Sequence, residues 1–300
     1  MHPRVSVILL CLCALWWNAC SPKFIAPEPS VEDLLSEAKG LYEHGEFVNA
    51  KEKFESIRFD YPGHALIGEV QFYIGLCFFQ LREYINAQQE FESFLREFPA
   101  DNAFADDAMF YLCKTLFAQS LPARLDQALT RKTIEEADAF AETYPNSAFT
   151  EEARSIKKQC LDRLAEKDFL AGRLYRRMGY TTSAIYYFRN LEKEYAETRW
   201  PARGRYEWTL CLYLQKNYAE ARLMADTCAS RLRELTDKNK DGLLLIEQHG
   251  FPYRFVHLFG FFPYETRSEI KIYLDDLAHD LSALSGRIDK KLSKLRQKKS

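Results

Sequence analysis

The sequence predicts an all-α protein: a solenoid of about five helical hairpins followed by a C-terminal helix. Three observations carry this. The phrase FESIRFDYPG, starting at Phe54, returns as FESFLREFPA at Phe91, an interval of 37 residues. Only 12 Gly and 11 Pro occur in 300 residues, which favours long helices over turn-rich β architecture. Apolar residues recur at three- and four-residue steps through most of the chain. Hydrophobic residues make up 47% and charged residues 28%, the balance of a globular chain, and the net charge of −2 predicts no general attraction to nucleic acid.

Residues 1–19 read as a signal peptide. An apolar run from Val5 to Trp17 follows a single Arg and is too short to span a bilayer comfortably. It ends in Asn18-Ala19-Cys20, a small residue directly before a Cys, as in bacterial lipoprotein signals. Cys20 is the expected lipidation site. Ordinary secretion is the alternative. Residues 20–30 carry three prolines, Pro22, Pro27 and Pro29, and read as an extended tether.

The repeat domain is expected over residues 31–235. Ala38 and Gly75, Ala50 and Ala87, Phe54 and Phe91, and Pro62 and Pro99 all keep the 37-residue interval. Each unit is therefore two amphipathic helices. A small residue on the first helix admits the second, and Ala50 or Ala87 makes the reciprocal approach. Phe54 or Phe91 fills the space between units, and the proline ends the second helix. A third unit starts at AMFYLCKTLFAQ and closes at Tyr144-Pro145, with SLPARLDQALTRK inserted between. A fourth runs through Gly172, Tyr175, Ala184 and Phe188 to Tyr195-Ala196. A fifth holds Leu212, Tyr218 and Ala221. The units resemble tetratricopeptide repeats, which stack into a superhelix.

Residues 236–264 form a connector. DKNKDGLLLIEQ, from Asp237, alternates carboxylates and Asn before Gly242 like a calcium loop. It ends in Gln248 where a bidentate carboxylate belongs, so a polar turn is expected, with no metal. FPYRFVHLFGFFPY, residues 251–264, is expected to cap the last repeat or to plug into a partner. Residues 265–300 read as an amphipathic helix with a basic end. Its stripe of Ile270, Leu274, Leu277, Leu281, Leu284 and Ile288 should lie along the solenoid. The basic end is expected to be solvated, or to meet anionic lipid or cell-wall polymer.

No metalloprotease, nucleophile-elbow or phosphate-loop motif is present, so no catalytic residue, metal ligand or cofactor is expected. His249 and His257 lack a Cys or carboxylate frame. Cys77, Cys113, Cys160, Cys211 and Cys228 sit in apolar helical patterns and read as buried thiols, with Cys211–Cys228 the one conceivable bridge.

The signal, the proline-containing tether and five repeats together resemble the BamD family of outer-membrane lipoproteins. ETYPNSAFTEEA and LAEKDFLAGRLYRRMGYTTSAIYYFRNLEKEYAET carry the likeness most closely. The resemblance implies a lipid-anchored scaffold on the periplasmic face of the outer membrane. Its implied partners are a BamA-like barrel protein, other assembly subunits and unfolded outer-membrane proteins. The alternative is another periplasmic repeat adaptor, such as one coordinating envelope division.

Two surfaces are candidates for those contacts. EVQFYIGLCFFQ is apolar on two faces: Ile74 and Phe78 on one, Phe72, Leu76 and Phe79 on the other. Leu35, Lys39 and Tyr42 in unit one, and Met109, Leu116 and Phe117 in unit three, take corresponding places. The second face either packs on a neighbouring repeat or lines a groove for an extended client segment. Arg173, Arg176 and Arg177 lie at helical spacing in unit four, either as a solvated face or as a docking patch for an acidic partner.

Overall fold

The computed structural model describes residues 29–98, 102–240 and 267–298. Cys20, Pro99 and, of the connector expected over 236–264, residues 241–264 with the aromatic segment lie outside them, whereas residues 236–240 continue the last helix of the fifth hairpin. Eleven helices occur among the described residues, with no strand. Ten pair into five hairpins: α1 Val31–Glu43 with α2 Phe47–Asp60, α3 Ile67–Gln80 with α4 Tyr84–Glu97, α5 Ala105–Gln119 with α6 Ala128–Thr143, α7 Thr150–Arg177 with α8 Thr181–Glu194, and α9 Trp200–Leu214 with α10 Tyr218–Lys240. The eleventh, α11 Arg267–Gln297, packs on α10 and α9.

Helix α1 begins in a capping box. The Asp33 amide donates to Ser30 Oγ at 3.1 Å, and the Ser30 amide donates to Asp33 Oδ2 at 3.2 Å. Four of the five hairpin corners then use one device. Gly45, Arg82, Gly179 and Lys216 all take positive φ, from 62° to 88°. In each, the next residue's N–H reaches back to the carbonyl five residues earlier, as from Glu46 to Leu41 and from Glu83 to Phe78, both at 2.9 Å. Gly45 and Gly179 suit this conformation, whereas Arg82 and Lys216 adopt it at a steric cost.

The third corner holds the insertion and is built differently. Gln127 is fully buried, and its amide donates to the carbonyls of Pro122 at 2.9 Å and Asp126 at 3.0 Å. Thr130 Oγ1 donates to Gln127 Oε1 at 2.8 Å. From α7, Arg163 donates to the Ser120 carbonyl at 3.2 Å. One buried amide thus satisfies the backbone of a loop with few ladder bonds of its own.

The connections between units also repeat. The Tyr61, Tyr144 and Tyr195 carbonyls accept from His64, Ser147 and Thr198 at 3.0–3.1 Å. Ala196 stands where Pro62 and Pro145 occur, and the same turn forms without the ring.

Packing follows the repeated residues. Ala38, Ala50, Phe54, Ala87, Phe91, Ala184 and Phe188 are all fully buried. A Cβ placed on Gly75 would lie 2.7 Å from the Phe91 ring, and one on Gly172 would lie 2.6 Å from Phe188. The missing side chain on the first helix is thus what seats the aromatic of the second. The fourth unit departs from the simple pattern, because α7 is 28 residues long. Its first half carries Ala153, Ile156 and Cys160 into a core with Phe110 and Phe140. Its second half carries Ala165 and Phe169 into a core with Ala184, Phe188 and Trp200.

Helix α11 runs antiparallel to α10, since Arg222 near the start of α10 pairs with Asp289 late in α11 at 3.0 Å. Leu277, Leu281, Leu284 and Ile288 bury against Ala221, Ala225, Cys228 and Leu232. The stripe predicted from the sequence thus lies along the last hairpin and covers the open end of the stack.

Gly75→Ala should lower unfolding free energy by about 1–3 kcal/mol, because the added methyl meets a packed ring. Gly40, in the body of α1, has nothing within 4 Å of a built Cβ. Gly40→Ala should stabilise the protein by about 0.5–1 kcal/mol. Chemical denaturation of both variants checks the pair, and equal effects would refute the close-approach account.

Candidate functional site

The first helices of units one to three present a band of half-buried aromatic residues. Tyr42 comes from α1, Tyr73 and Phe79 from α3, and Tyr111 from α5. Tyr42 meets Tyr73 edge-on at 5.6 Å between centroids. Phe79 meets Tyr111 edge-on at 5.4 Å and Tyr84 at 5.7 Å. Gln80 Nε2 donates to the Tyr42 hydroxyl at 3.3 Å, tying α3 to α1. Such edge-to-face geometry sets the positive edge of one ring against the negative face of the other.

Two lysines sit over this band. Lys39 Nζ lies 5.3 Å from the Tyr73 ring centre and pairs with Glu69. Lys114 Nζ lies 5.3 Å from the Tyr111 ring and 5.9 Å from Phe79, and pairs with Glu152 at 3.0 Å. Burial pushes the Tyr111 phenol up to about 12 and raises those of Tyr42 and Tyr73. All three remain neutral hydrogen-bonding groups at physiological pH.

The seven residues expected to line a groove divide between two roles. Leu35, Phe72, Leu76 and Phe117 are buried. Phe72 stacks on Phe104 at 5.1 Å and leans on Phe91 and Phe94 at 6.2 Å each. Arg163 covers the Phe117 ring at 5.1 Å. These four serve packing, because a helix in the middle of a stack has a neighbour on each side to satisfy both apolar faces. Lys39, Tyr42 and Phe79 remain partly exposed. Tyr73, Gln80, Tyr111 and Lys114 join them, which the sequence reading missed. A clue was available: Phe72-Tyr73-Ile74 returns as Phe110-Tyr111-Leu112.

The three arginines also separate. Arg176 Nε donates to Glu207 Oε2 at 2.5 Å, and Arg173 Nε lies 3.3 Å from Glu207 Oε1. The Glu207 side chain is only 8% exposed, so this is an internal ion cluster joining α7 to α9. Arg177 is exposed and has no ion pair among the described residues.

Cys77, Cys113, Cys160, Cys211 and Cys228 are buried free thiols, and burial pushes each up to about 12. Among the described residues, no group of three or more His, Cys, Asp or Glu could hold a metal ion. No described helix is long and apolar enough to cross a membrane.

This is the class of a repeat scaffold, a stack of helical hairpins offering side-chain surfaces for polypeptide contact. The chain belongs to the YfiO family of outer membrane lipoproteins, whose pattern matches residues 27–218. That is the BamD family the sequence resembles. No curated protein matches the chain. Among solved structures, a tetratricopeptide repeat protein from Parabacteroides merdae is similar at 12% identity, over 84% of this chain and 98% of that one, with a TM-score of 0.35. The P58(IPK) TPR domain is similar at 12% identity, over 88% of this chain and 66% of that one, with a TM-score of 0.37.

Glu207→Ala should destabilise the protein by about 3 kcal/mol, since it strands Arg176 in a largely buried position. Thermal and denaturant unfolding check this. A change within a few tenths of a kcal/mol would mean that Arg176 swings freely into water.

Proposed function

We propose that the chain is a lipid-anchored scaffold of the outer-membrane β-barrel assembly machinery. In this reading it sits on the periplasmic face of the outer membrane, attached through Cys20. It binds a BamA-like barrel protein, other assembly subunits and segments of unfolded outer-membrane proteins. Membership in an outer membrane lipoprotein family supports the location. The observation that carries the client role is the neutral aromatic band of Tyr42, Tyr73, Phe79 and Tyr111. An extended barrel strand alternates apolar and polar side chains. Rings would take the apolar set, while Tyr hydroxyls, Gln80 and the two lysines would take backbone carbonyls and a terminal carboxylate. Lys39, Tyr42 and Phe79 keep the role expected of them, and Leu35, Phe72, Leu76 and Phe117 support the band from beneath. Arg177 is the member of the arginine set left available to an acidic partner.

Phe79→Ala should weaken binding of an extended peptide ending in an aromatic residue by about thirtyfold, as for a contact worth about 2 kcal/mol. Circular dichroism should show the fold retained. An unfolded variant would assign Phe79 to packing alone, and unchanged binding would remove it from the client surface.

The anchor has its own test. Mass spectrometry of the mature protein should find lipid on Cys20, and Cys20→Ala should abolish that modification. An unmodified Cys20, or a mature terminus beyond it, would end the lipoprotein reading for this chain. Several acyl chains hold a protein stably on a bilayer, whereas one is marginal.

A further inference from the structure

We infer a second membrane contact at the far end of the solenoid from the tether: a basic and apolar rim that takes the anionic headgroups of phospholipids. From Lys290 to Lys298, the end of α11 and the residue after it carry five basic side chains, Lys290, Lys291, Lys294, Arg296 and Lys298, and no carboxylate. All five are exposed, and none has an ion pair among the described residues. The last carboxylate before them, Asp289, is committed to Arg222.

The antiparallel packing decides where this charge sits. Arg222 lies four residues after the start of α10, about 6 Å along the axis, whereas Lys298 lies nine residues beyond Asp289, about 13 Å. The last turn of α11 therefore projects past the corner between α9 and α10. That corner exposes Leu214 (50%) and Lys216. Gln215 Nε2 donates to Thr181 Oγ1 at 2.9 Å, which sets the corner between α7 and α8 alongside. There Met178 (59%) and Tyr180 (58%) are exposed. Leu295 is exposed within the basic turn itself (45%). The neighbouring carboxylate Glu220 accepts from Asn217 at 2.5 Å and is a single negative charge beside the five basic groups.

Basic groups interleaved with exposed Leu, Met and Tyr suit an interface more than a protein groove. Apolar tips enter the headgroup boundary while ammonium and guanidinium groups hold phosphates. An acidic polypeptide would use the charge and leave the apolar tips without a role. A polybasic patch is also the second signal that turns a lipid-tethered chain into a firmly seated one. The inference is independent of the client surface, which lies at the other end of the stack.

The test uses the chain from residue 21 onward, which keeps every described helix but no anchor. It should co-sediment with phosphatidylcholine vesicles that contain phosphatidylglycerol and not with pure phosphatidylcholine, and high salt should release it. The variant Lys294→Glu/Arg296→Glu/Lys298→Glu should lower the partition coefficient on the order of a hundredfold, at roughly fivefold for each basic group lost. Leu295→Ala should lower it severalfold without changing the salt dependence. These residues are exposed, so circular dichroism should be unaltered in both variants. Equal binding to neutral vesicles, absence of vesicle binding, or full binding by the triple variant would overturn the proposal. So would capture by polyglutamate with none by vesicles, which would assign the rim to an acidic polypeptide. Peptide titration on the same samples keeps this outcome distinct from that of the client surface.

Discussion

The stack depends on one close approach, that of an aromatic ring on the second helix of a unit to a residue without a side chain on the first. At Gly75 and Gly172 the rings of Phe91 and Phe188 occupy the space a Cβ would need. The rings also touch the next unit. Phe91 stacks on Tyr111 of α5 at 5.9 Å, and Phe54 stacks on Tyr73 of α3 at 5.2 Å. One contact therefore sets the helix separation within a unit and the position of the following unit. It also props Tyr73 and Tyr111 toward the surface, so the aromatic band is a by-product of the same interlock. This is the nearest-neighbour logic of a solenoid, in which a unit's exposed chemistry is held by the core of the one before.

What could be read from the sequence follows from this. The interlock needs the same residue types at a fixed interval, so Ala38/Gly75, Ala50/Ala87 and Phe54/Phe91 announced the hairpins directly. The stripe on α11 was legible because Leu277, Leu281, Leu284 and Ile288 have a single partner surface. The site was less legible. Phe72 and Leu76 lie on a second apolar face, and periodicity does not say whether a neighbour or solvent covers it. A stacked helix uses both faces, so they went to the core. Tyr73 and Tyr111 belong to none of the residue sets that the spacing singles out, and their hydroxyl ends decide their role. The Arg176–Glu207 pair joins residues 31 apart on different helices, beyond any single-helix spacing argument. The positive φ at Arg82 and Lys216 was hidden for another reason. The corner geometry is imposed by the packed helices on either side, and the local residues comply.

The two ends of the stack differ in chemistry although the fold is repeated. Toward α1 the surface is aromatic and nearly neutral, with Lys39 and Lys114 each matched by a carboxylate. Toward α11 the basic groups from Lys290 to Lys298 have no ion pair among the described residues, and apolar tips are exposed. The difference arises because inner helices in the first units carry Tyr and Phe at the positions above the interlock. In the fourth unit the place of Tyr42 and Phe79 is taken by Arg176, whose charge is drawn inward by Glu207. The same scaffold thereby presents an aromatic surface in its first units and a basic one at its last, without any change in backbone plan.

Helix α7 determines how these ends communicate mechanically. Its 28 residues, about 42 Å along the axis, belong to two cores at once, one with Phe110 and Phe140, the other with Phe188 and Trp200. A solenoid of equal units can flex at every joint, since each joint is a contact between separate helices. Here the joint between the third and fourth units is crossed by an unbroken helix with no internal proline. Arg163 fastens it to the inserted corner at Ser120, and Arg176 fastens it to Glu207 on α9. Bending at this point requires disrupting backbone hydrogen bonds of the helix itself, not sliding one surface over another. The third and fourth units are therefore joined through one continuous helix that contributes to both cores. The aromatic band and the basic end are carried on opposite sides of that helix along the chain.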